Sequence, residues 1–545
     1  MTERTPSALD AACDAFVYDV AAHTPTSATS LGIPGYDGEL EDFSPAFHDD
    51  AAARIRSLLA RVDELEAGGF DDVDRVTAAV LRDRLGLDLA AHDAGEHLRD
   101  LNNIASPVQT IRDTLSLMPT DTPEQLDNIA SRVSKIRAAL DGYRATLTAG
   151  RAAGTVPAAR QVAEVASQCA QLADGSLLDG LGLPQDSAAA QAAVADARAA
   201  FGEFGQWLKR DLLPHAPEAD AFGRERYELW SQIFVGAKVD LDEAYEWGLE
   251  RVRDITAEQE AIAAQLYGAG TTPEQAMERL NEEERYTLHG RDALVAWMQE
   301  TADGVIASLN GTYFDIAEPV QRIECLIDPA GSGGIFYTGP SDDFTRPGRM
   351  WWSVPEGQDV FHTWQELTTV HHEGAPGHHL QIGAAMTQRE LNFYRRAACW
   401  NSGHGEGWAL YSEAFMAELG FMDDPGFRMG LLDSQRFRAA RVAADIGLHL
   451  GKAHPTSGAA WTGQDVHDFM RANTAMDDAN LTFEVNRYLG WAGQAPSYAL
   501  GERLWQQTRD AAVARGMTVR DFHSRALALG SIPMSILAEA VLGQE

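Results

Sequence analysis

Basic residues are in short supply. Lys and Arg number 44 against 81 Asp and Glu, a formal net charge of −37. A surface of that sign repels phosphate backbones and anionic lipid headgroups, so neither nucleic acid nor a membrane surface is expected as a partner. The same acidity serves solubility or halotolerance, and at a binding site it favours metal cations and cationic peptide ends. Cysteine is scarcer still. Cys13, Cys169, Cys325 and Cys399 form no C-x-x-C pair and no regular framework, which reads as buried free thiols in a reducing compartment. No stretch approaches the roughly 20 apolar residues of a membrane span. The segment from Met1 to Pro6 leads into an acidic, Ala-rich region with no apolar leader core, so the expected location is cytoplasmic. Low-complexity linkers are absent too. The 545 residues therefore read as one interlocked unit, 1–545, with a helical scaffold lobe at 1–230 and the chemistry in 231–545. Oligomeric state is not legible.

What is present is apolar content of 45%, enough for a large core, arranged mostly with helical periodicity. The spacing predicts helices through 49–150, after a Thr/Ser/Pro/Gly-rich loop from Thr24 to Tyr36. Thr122-Pro123-Glu124-Gln125 and Thr272-Pro273-Glu274-Gln275 are helix starts, with Thr as N-cap, Pro at the first position and Gln at the capping-box position. Asp240 and Glu243 open a helix that Gly268 stops. Further helices are expected at Glu406–Leu419 and Asp433–Leu450. The texture changes at 310–355, where Val320–Asp328, Gly334–Thr338 and Met350–Val354 read as short strands. The expected fold class is mainly α, with a small antiparallel β-sheet just before the segment described next. An edge strand there would hold an extended peptide by backbone hydrogen bonds, which makes Tyr337 a candidate substrate contact.

The histidines are unevenly spread. Six of sixteen fall between His362 and His404. Within them, His372-Glu373 followed by a later His has the logic of the zinc-peptidase helix H-E-x-x-H, in which two imidazoles hold the metal and the Glu is general base. The spacing departs from that pattern, because His378 stands six positions after His372. On a straight helix it would point to another face, and His379 would lie about 10 Å along the axis, too far for shared coordination. Pro376 and Gly377 supply the break: Pro has no N–H and clashes with the carbonyl of His372, and Gly accepts any backbone angle. The helix from His362 should therefore end near Ala375–Gly377, and a new one running from His378 to about Cys399 should bring His378 back beside His372.

A catalytic zinc takes three protein ligands and leaves one position open. Glu406, flanked by glycines on the next helix, is the candidate third ligand, and Glu413, seven positions on and on the same face, the candidate that hydrogen-bonds a liganding His. An exchange of those two roles is open. His404 is a candidate substrate donor or a turn cap. Downstream, Arg487 to Tyr498 forms a Gly/Pro-broken, aromatic stretch. Tyr488 or Tyr498 is suited to stabilise an oxyanion, Arg487 to clamp a carboxylate, and Gln494 to contact substrate.

His372-Glu373-x-x-Pro376-Gly377-His378-His379-Leu380-Gln381, then Glu406 to Glu413, then Arg487-Tyr488 and Gly493-Gln494-Ala495-x-Ser497-Tyr498, resemble the domain of unknown function 885 family. Ala28-Thr29-x-Leu31-Gly32 and Tyr36-Asp37 resemble that family's start, so the likeness spans nearly the whole chain. It implies a largely helical, gluzincin-like zinc metallopeptidase with a deep cleft. It also favours His378 over His379 as second ligand and leaves His379 beside the site.

The reading is a zinc-dependent peptidase for short peptides, of carboxypeptidase or dipeptidyl-carboxypeptidase habit if Arg487 reads a terminal carboxylate. His372, His378 and Glu406 hold Zn2+ or another divalent metal, and Glu373 is the base. Two rivals use the same residues: an amidase or esterase on a small non-peptide molecule, and a silent peptide- or metal-binding protein. Glu373 speaks against the second, since a metal store needs no base.

Overall fold

The computed structural model describes residues 4–175, 177–328 and 334–543. Part of the N-terminal segment read above, Met1–Glu3, lies outside them. The chain divides into two compact units. One takes the residues up to Phe222 together with Asn392–Tyr394 and Thr482–Ala492. The other takes Gly223–Leu391, Arg395–Leu481 and the chain from Gly493 onward.

The first unit is helical. Its main helices are α1 (Ala8–His23), α2 (Pro25–Leu31), α3 (Pro45–Glu66), α4 (Asp72–Asp93), α5 (Pro107–Leu117), α6 (Pro123–Val133), α7 (Ile136–Ala153), α8 (Ala159–Asp174) and α9 (Ala188–Trp207). The start at Thr122 is as the sequence indicates, with Thr122 accepting from Gln125 N and Gln125 reaching back. The Thr24–Tyr36 stretch is not all loop. Pro25 at the first helical position sets up the short α2, which stops at Gly32 in the left-handed region (φ 70°). Val162, Val165 and Cys169 of α8 and Phe201 and Phe204 of α9 belong to one buried core that also takes in Tyr143 and Leu147 of α7.

The second unit carries α10 (Arg224–Val235), α11 (Leu241–Tyr267), α12 (Pro273–Leu280) and α13 (Arg291–Leu309). One short strand precedes α13, and after four more come α14 (Thr363–Glu373), α15 (His378–Thr387), α16 (Ser402–Glu418), α17 (Pro425–His449) and α18 (Gly463–Arg471). Then follow α19 (Asp478–Gly490), whose residues from Thr482 belong to the first unit, α20 (Ser497–Ala514), α21 (Val519–Leu527) and α22 (Met534–Leu542). Helix α17 begins eight residues before the expected Asp433, because Asp424 caps it, accepting from Gly426 N and Phe427 N, with Pro425 at the first position. From Met429 to His449 nearly every residue of α17 is buried, so it forms the centre of this unit. Helix α15 is shorter than expected and ends at Thr387, not near Cys399, because the chain then turns through Gln388–Leu391 before Asn392–Tyr394.

The strands are β1 (Thr287–His289), β2 (Ile323–Ile327), β3 (Ile335–Thr338), β4 (Gly348–Trp352) and β5 (Val360–His362). They make two sheets. β1 and β5 pair antiparallel, Leu288 opposite Phe361, and β5 runs straight into α14. The other sheet has the order β2-β4-β3, and its pairing is mixed: β2 is parallel to β4 and β3 antiparallel. Alternation on β4 sends Met350 and Trp352 into the core. Among the described residues β3 has a neighbour on one side only, so it is an edge strand.

Candidate metal centre

Helix α14 ends at Glu373, where Gly374 N still reaches Val370 O at 2.9 Å, and α15 restarts at His378. Between them the chain folds tightly on itself: Gly377 N donates to His371 O at 3.0 Å and His379 N to Gly374 O at 3.2 Å. A Cβ on Gly377 would sit 1.9 Å from the His372 carbonyl oxygen, so only glycine fits. Trp408 of α16, fully buried, fastens this turn by donating its indole N–H to Pro376 O at 2.9 Å. The result brings the His372 and His378 rings to 5.0 Å between centroids, perpendicular to each other.

Ligand atoms of His372, Glu373 and His378 lie within 4.8 Å of one another. Glu406 joins them. Its Oε2 is 3.4 Å from His372 Nε2 and 3.6 Å from His378 Nε2. Close helix packing puts it there. A Cβ on Gly407 would fall 2.4 Å from the backbone of Gly501 on α20, and one on Gly501 would fall 2.2 Å from Gly403 O. The glycines beside Glu406 thus let α16 and α20 touch backbone to backbone.

The other nitrogen of His372, Nδ1, is held at 2.7 Å by Glu413 Oε1, which leaves Nε2 directed at the cluster. Glu413 is itself fixed. Thr368 Oγ1 donates to its Oε2, and Ser434 Oγ does so at 3.2 Å. Arg438 Nη1 in turn donates to Ser434 Oγ at 2.6 Å. Thr368, Ser434 and Arg438 were missed in the sequence. For Thr368 a signal existed, since it stands one helical turn before His372; Ser434 and Arg438 lie on α17 and carry none.

Electrostatics follow from burial and these pairs. Burial opposes a charge on His372, yet the Glu406 and Glu413 carboxylates and nearby Glu373 carry its imidazole up to about 10. Burial likewise works against ionised Glu406, but His372 and His378 hold its carboxyl far below the usual range. Glu413 is lowered in the same way, chiefly by His372 against the cost of burial. Glu373 goes the other way: burial raises it, against the pull of His378 and His372, and no hydrogen bond occupies its carboxylate among the described residues. An unengaged carboxylate raised toward neutrality is what a proton carrier needs.

Two imidazole Nε2 atoms and one carboxylate oxygen converging on one point, with His372 Nδ1 tied to a carboxylate, form a donor set that fits Zn2+ or a similar divalent ion. His378 Nδ1 is buried with no partner among the described residues.

The other candidates separate. His379 spends both nitrogens elsewhere: Nε2 bonds Val320 O at 2.7 Å and Nδ1 the Tyr337 hydroxyl at 3.0 Å. Gly348 makes room for that contact, since a Cβ there would overlap the Tyr337 hydroxyl. Tyr337 therefore sits on the edge strand β3 with its hydroxyl turned to His379. His404 is fully buried. Its Nδ1 bonds Gln381 Nε2 at 3.1 Å, and burial pushes it down to about 3. Gln494 Nε2 reaches Ser402 Oγ at 3.4 Å. The Tyr498 ring lies 5.1 Å from the Arg441 guanidinium. Arg487 and Tyr488 fall in the first unit, both bonded to Glu484, at 3.1 and 2.7 Å.

Fold and site together define a mainly helical protein with a His/Glu cluster of metal-binding type. The chain belongs to the family described as bacterial protein of unknown function (DUF885), which it matches over residues 25–541. No curated protein matches it. Among solved structures it is similar to a protein from Colwellia psychrerythraea described as a candidate lipoprotein, at 22% identity and TM-score 0.83, over 98% of each chain. A protein from Shewanella oneidensis, described as a candidate lipoprotein of unknown function, is similar at 16% identity and TM-score 0.74, over 98% of this chain and 100% of that one. These likenesses establish the fold. No helix among the described residues is long and apolar enough to cross a membrane.

Proposed function

We propose that this chain is a zinc-dependent hydrolase of short peptides. The observation that carries the reading is Glu406 Oε2 lying 3.4 Å from His372 Nε2 and 3.6 Å from His378 Nε2, with Glu413 behind His372. His372, His378 and Glu406 would hold the ion, and a zinc ion there supplies Lewis acidity toward a water and a substrate carbonyl. Glu373, adjacent in sequence and free of other bonds, takes a proton from the attacking water and returns it to the leaving amine. The unpaired edge of β3 beside α14 offers backbone groups to an extended peptide. Tyr498, which belongs to the same unit as the cluster, is kept as the candidate oxyanion donor. The four cysteines are buried and outside disulfides, which supports a reducing compartment.

The test is metal content of the purified chain together with hydrolysis of a peptide library, an ester panel and an amide panel. The reading requires one zinc per chain and cleavage of peptides. Cleavage of esters or amides alone would favour the non-peptide hydrolase, and bound metal with no hydrolysis would favour a silent binding protein.

A further inference from the structure

Helix α14 carries more than the first metal ligand and the base. Its residues that keep access to solvent are His362 at the cap, Gln365, Glu366 and Thr369. Successive residues turn by about 100°, so His362, Glu366, Thr369 and Glu373 form one stripe along a single face. That stripe is polar and unengaged. Among the described residues nothing bonds to the carboxylate of Glu366. The Nδ1 of His362 is buried and without a partner there. The other carboxylates of the site have roles of their own. Glu406 faces the histidines, Glu413 holds His372, and Glu373 belongs to the cluster.

A half-buried carboxylate with no protein partner stands ready for a cation that arrives with a ligand. Glu366 stands seven positions before Glu373, two helical turns or about 10 Å along the axis. An extended peptide advances about 3.3–3.6 Å per residue, so that distance spans about three residues. The edge strand β3 packs beside α14 and sets an extended course for such a chain.

We propose that Glu366 is a specificity-determining residue that binds an ammonium or guanidinium group of the substrate about three residues from the bond being cut. The substrate class is then short peptides carrying a positive charge at that distance, supplied by the free amino terminus or by a Lys or Arg side chain. This rests on the hydrolase reading for its position relative to the cut, but binding tests it separately.

The experiment uses the full chain in a Glu373→Gln background, so that cleavage does not intrude, and reads fluorescence anisotropy. Three pentapeptides with the same C-terminal dye are compared: one with a free amino terminus, one acetylated, and one acetylated with Lys at the third residue. The expected result is at least tenfold tighter binding of one cationic peptide than of the neutral one. Which one wins assigns the source of the charge. Adding Glu366→Gln should abolish that preference and leave the neutral peptide's affinity unchanged, while Glu366→Asp should retain part of it. Equal binding of all three by the Glu366 protein overturns the proposal, as does a preference that survives Glu366→Gln. Should Glu366→Gln fail to fold, equal binding of the three peptides by the Glu366 protein still overturns the proposal, and Glu366→Asp carries the attribution: a preference that it leaves undiminished overturns the proposal too. A preference that holds in a protein hydrolysing no peptide would remove the hydrolase reading and keep this one.

Discussion

Glu413 Oε1 accepts a hydrogen bond from His372 Nδ1 at 2.7 Å. The bond fixes the ring's tautomer and turns Nε2 toward His378 and Glu406. The carboxylate is buried and is also held by Thr368 and Ser434, so it cannot swing away without leaving those hydroxyls unpaired. Partners of this kind typically carry 10–100-fold in metal affinity. Glu413→Gln, which keeps an acceptor but loses the charge, should weaken zinc binding about tenfold, and Glu413→Ala nearer 100-fold. Competition against a chromophoric chelator measures both. Unchanged affinity in Glu413→Ala would remove the assigned role.

The two adjacent histidines should behave differently. His378→Gln should lose zinc, because Nε2 of His378 faces the cluster. His379→Gln should keep zinc and lose stability instead. It breaks the bonds to Val320 and Tyr337, and each buried polar group left unpaired costs about 1–3 kcal/mol. Zinc titration and urea unfolding of the two variants give the answer, and the reverse pattern would show that the wrong histidine has been chosen.

Gly377→Ala should damage the site from the backbone. The added methyl would lie 1.9 Å from His372 O and 2.4 Å from His371 O, and neither oxygen can move without opening the turn. Overpacking of this kind costs about 1–3 kcal/mol, and zinc affinity should fall with it. Gly304→Ala is the control. It sits in α13 with nothing within 4 Å of a new Cβ, so stability should hold or rise by up to about 1 kcal/mol. Equal urea midpoints for Gly377→Ala and the parent chain would contradict the account.

How far the sequence carried the fold can be seen at these same places. Helix starts were legible where the chemistry is local: Asp240, Thr122 and Thr272 cap the helices they were expected to cap. The break at Pro376-Gly377 was legible because Pro and Gly act on their own backbone. The sheet was legible as short strands, but not its mixed pairing, since strand order depends on residues 11 to 25 positions apart meeting in space. The start of α17 at Asp424-Pro425 was missed because the apolar pattern, not the cap, guided the reading. Around the cluster, His372, Glu373 and His378 could be named in advance because they lie on one short stretch of chain, whereas Thr368 on the same helix was missed. Ser434, Arg438 and Trp408 could not, because they reach the site across helix packing that no local pattern encodes.

A pH dependence follows from His523. Its Nε2 accepts from the Tyr411 hydroxyl at 2.8 Å and its Nδ1–H donates to Tyr313 O at 3.0 Å. Burial pushes it down to about 3, the Tyr313 carbonyl pulling the other way and Arg509 adding to the fall. Unfolded, the ring takes a proton near pH 6.5. The neutral ring's contribution to stability is therefore complete above pH 6.5. It is lost as pH falls from there toward 3, at about 1.4 kcal/mol per pH unit for this one proton. Urea unfolding between pH 8 and 4.5 should show stability declining more gently in His523→Gln than in the parent chain, by about that slope. Parallel curves would contradict the assignment.

The most direct test compares turnover of a cleaved peptide by the parent chain and by Glu373→Gln at equal, measured zinc content. The account predicts that the variant still binds one zinc per chain through His372, His378 and Glu406, while turnover falls by at least about 100-fold, the contribution expected of a general base. A zinc-loaded Glu373→Gln chain that turns over as fast as its parent would contradict it.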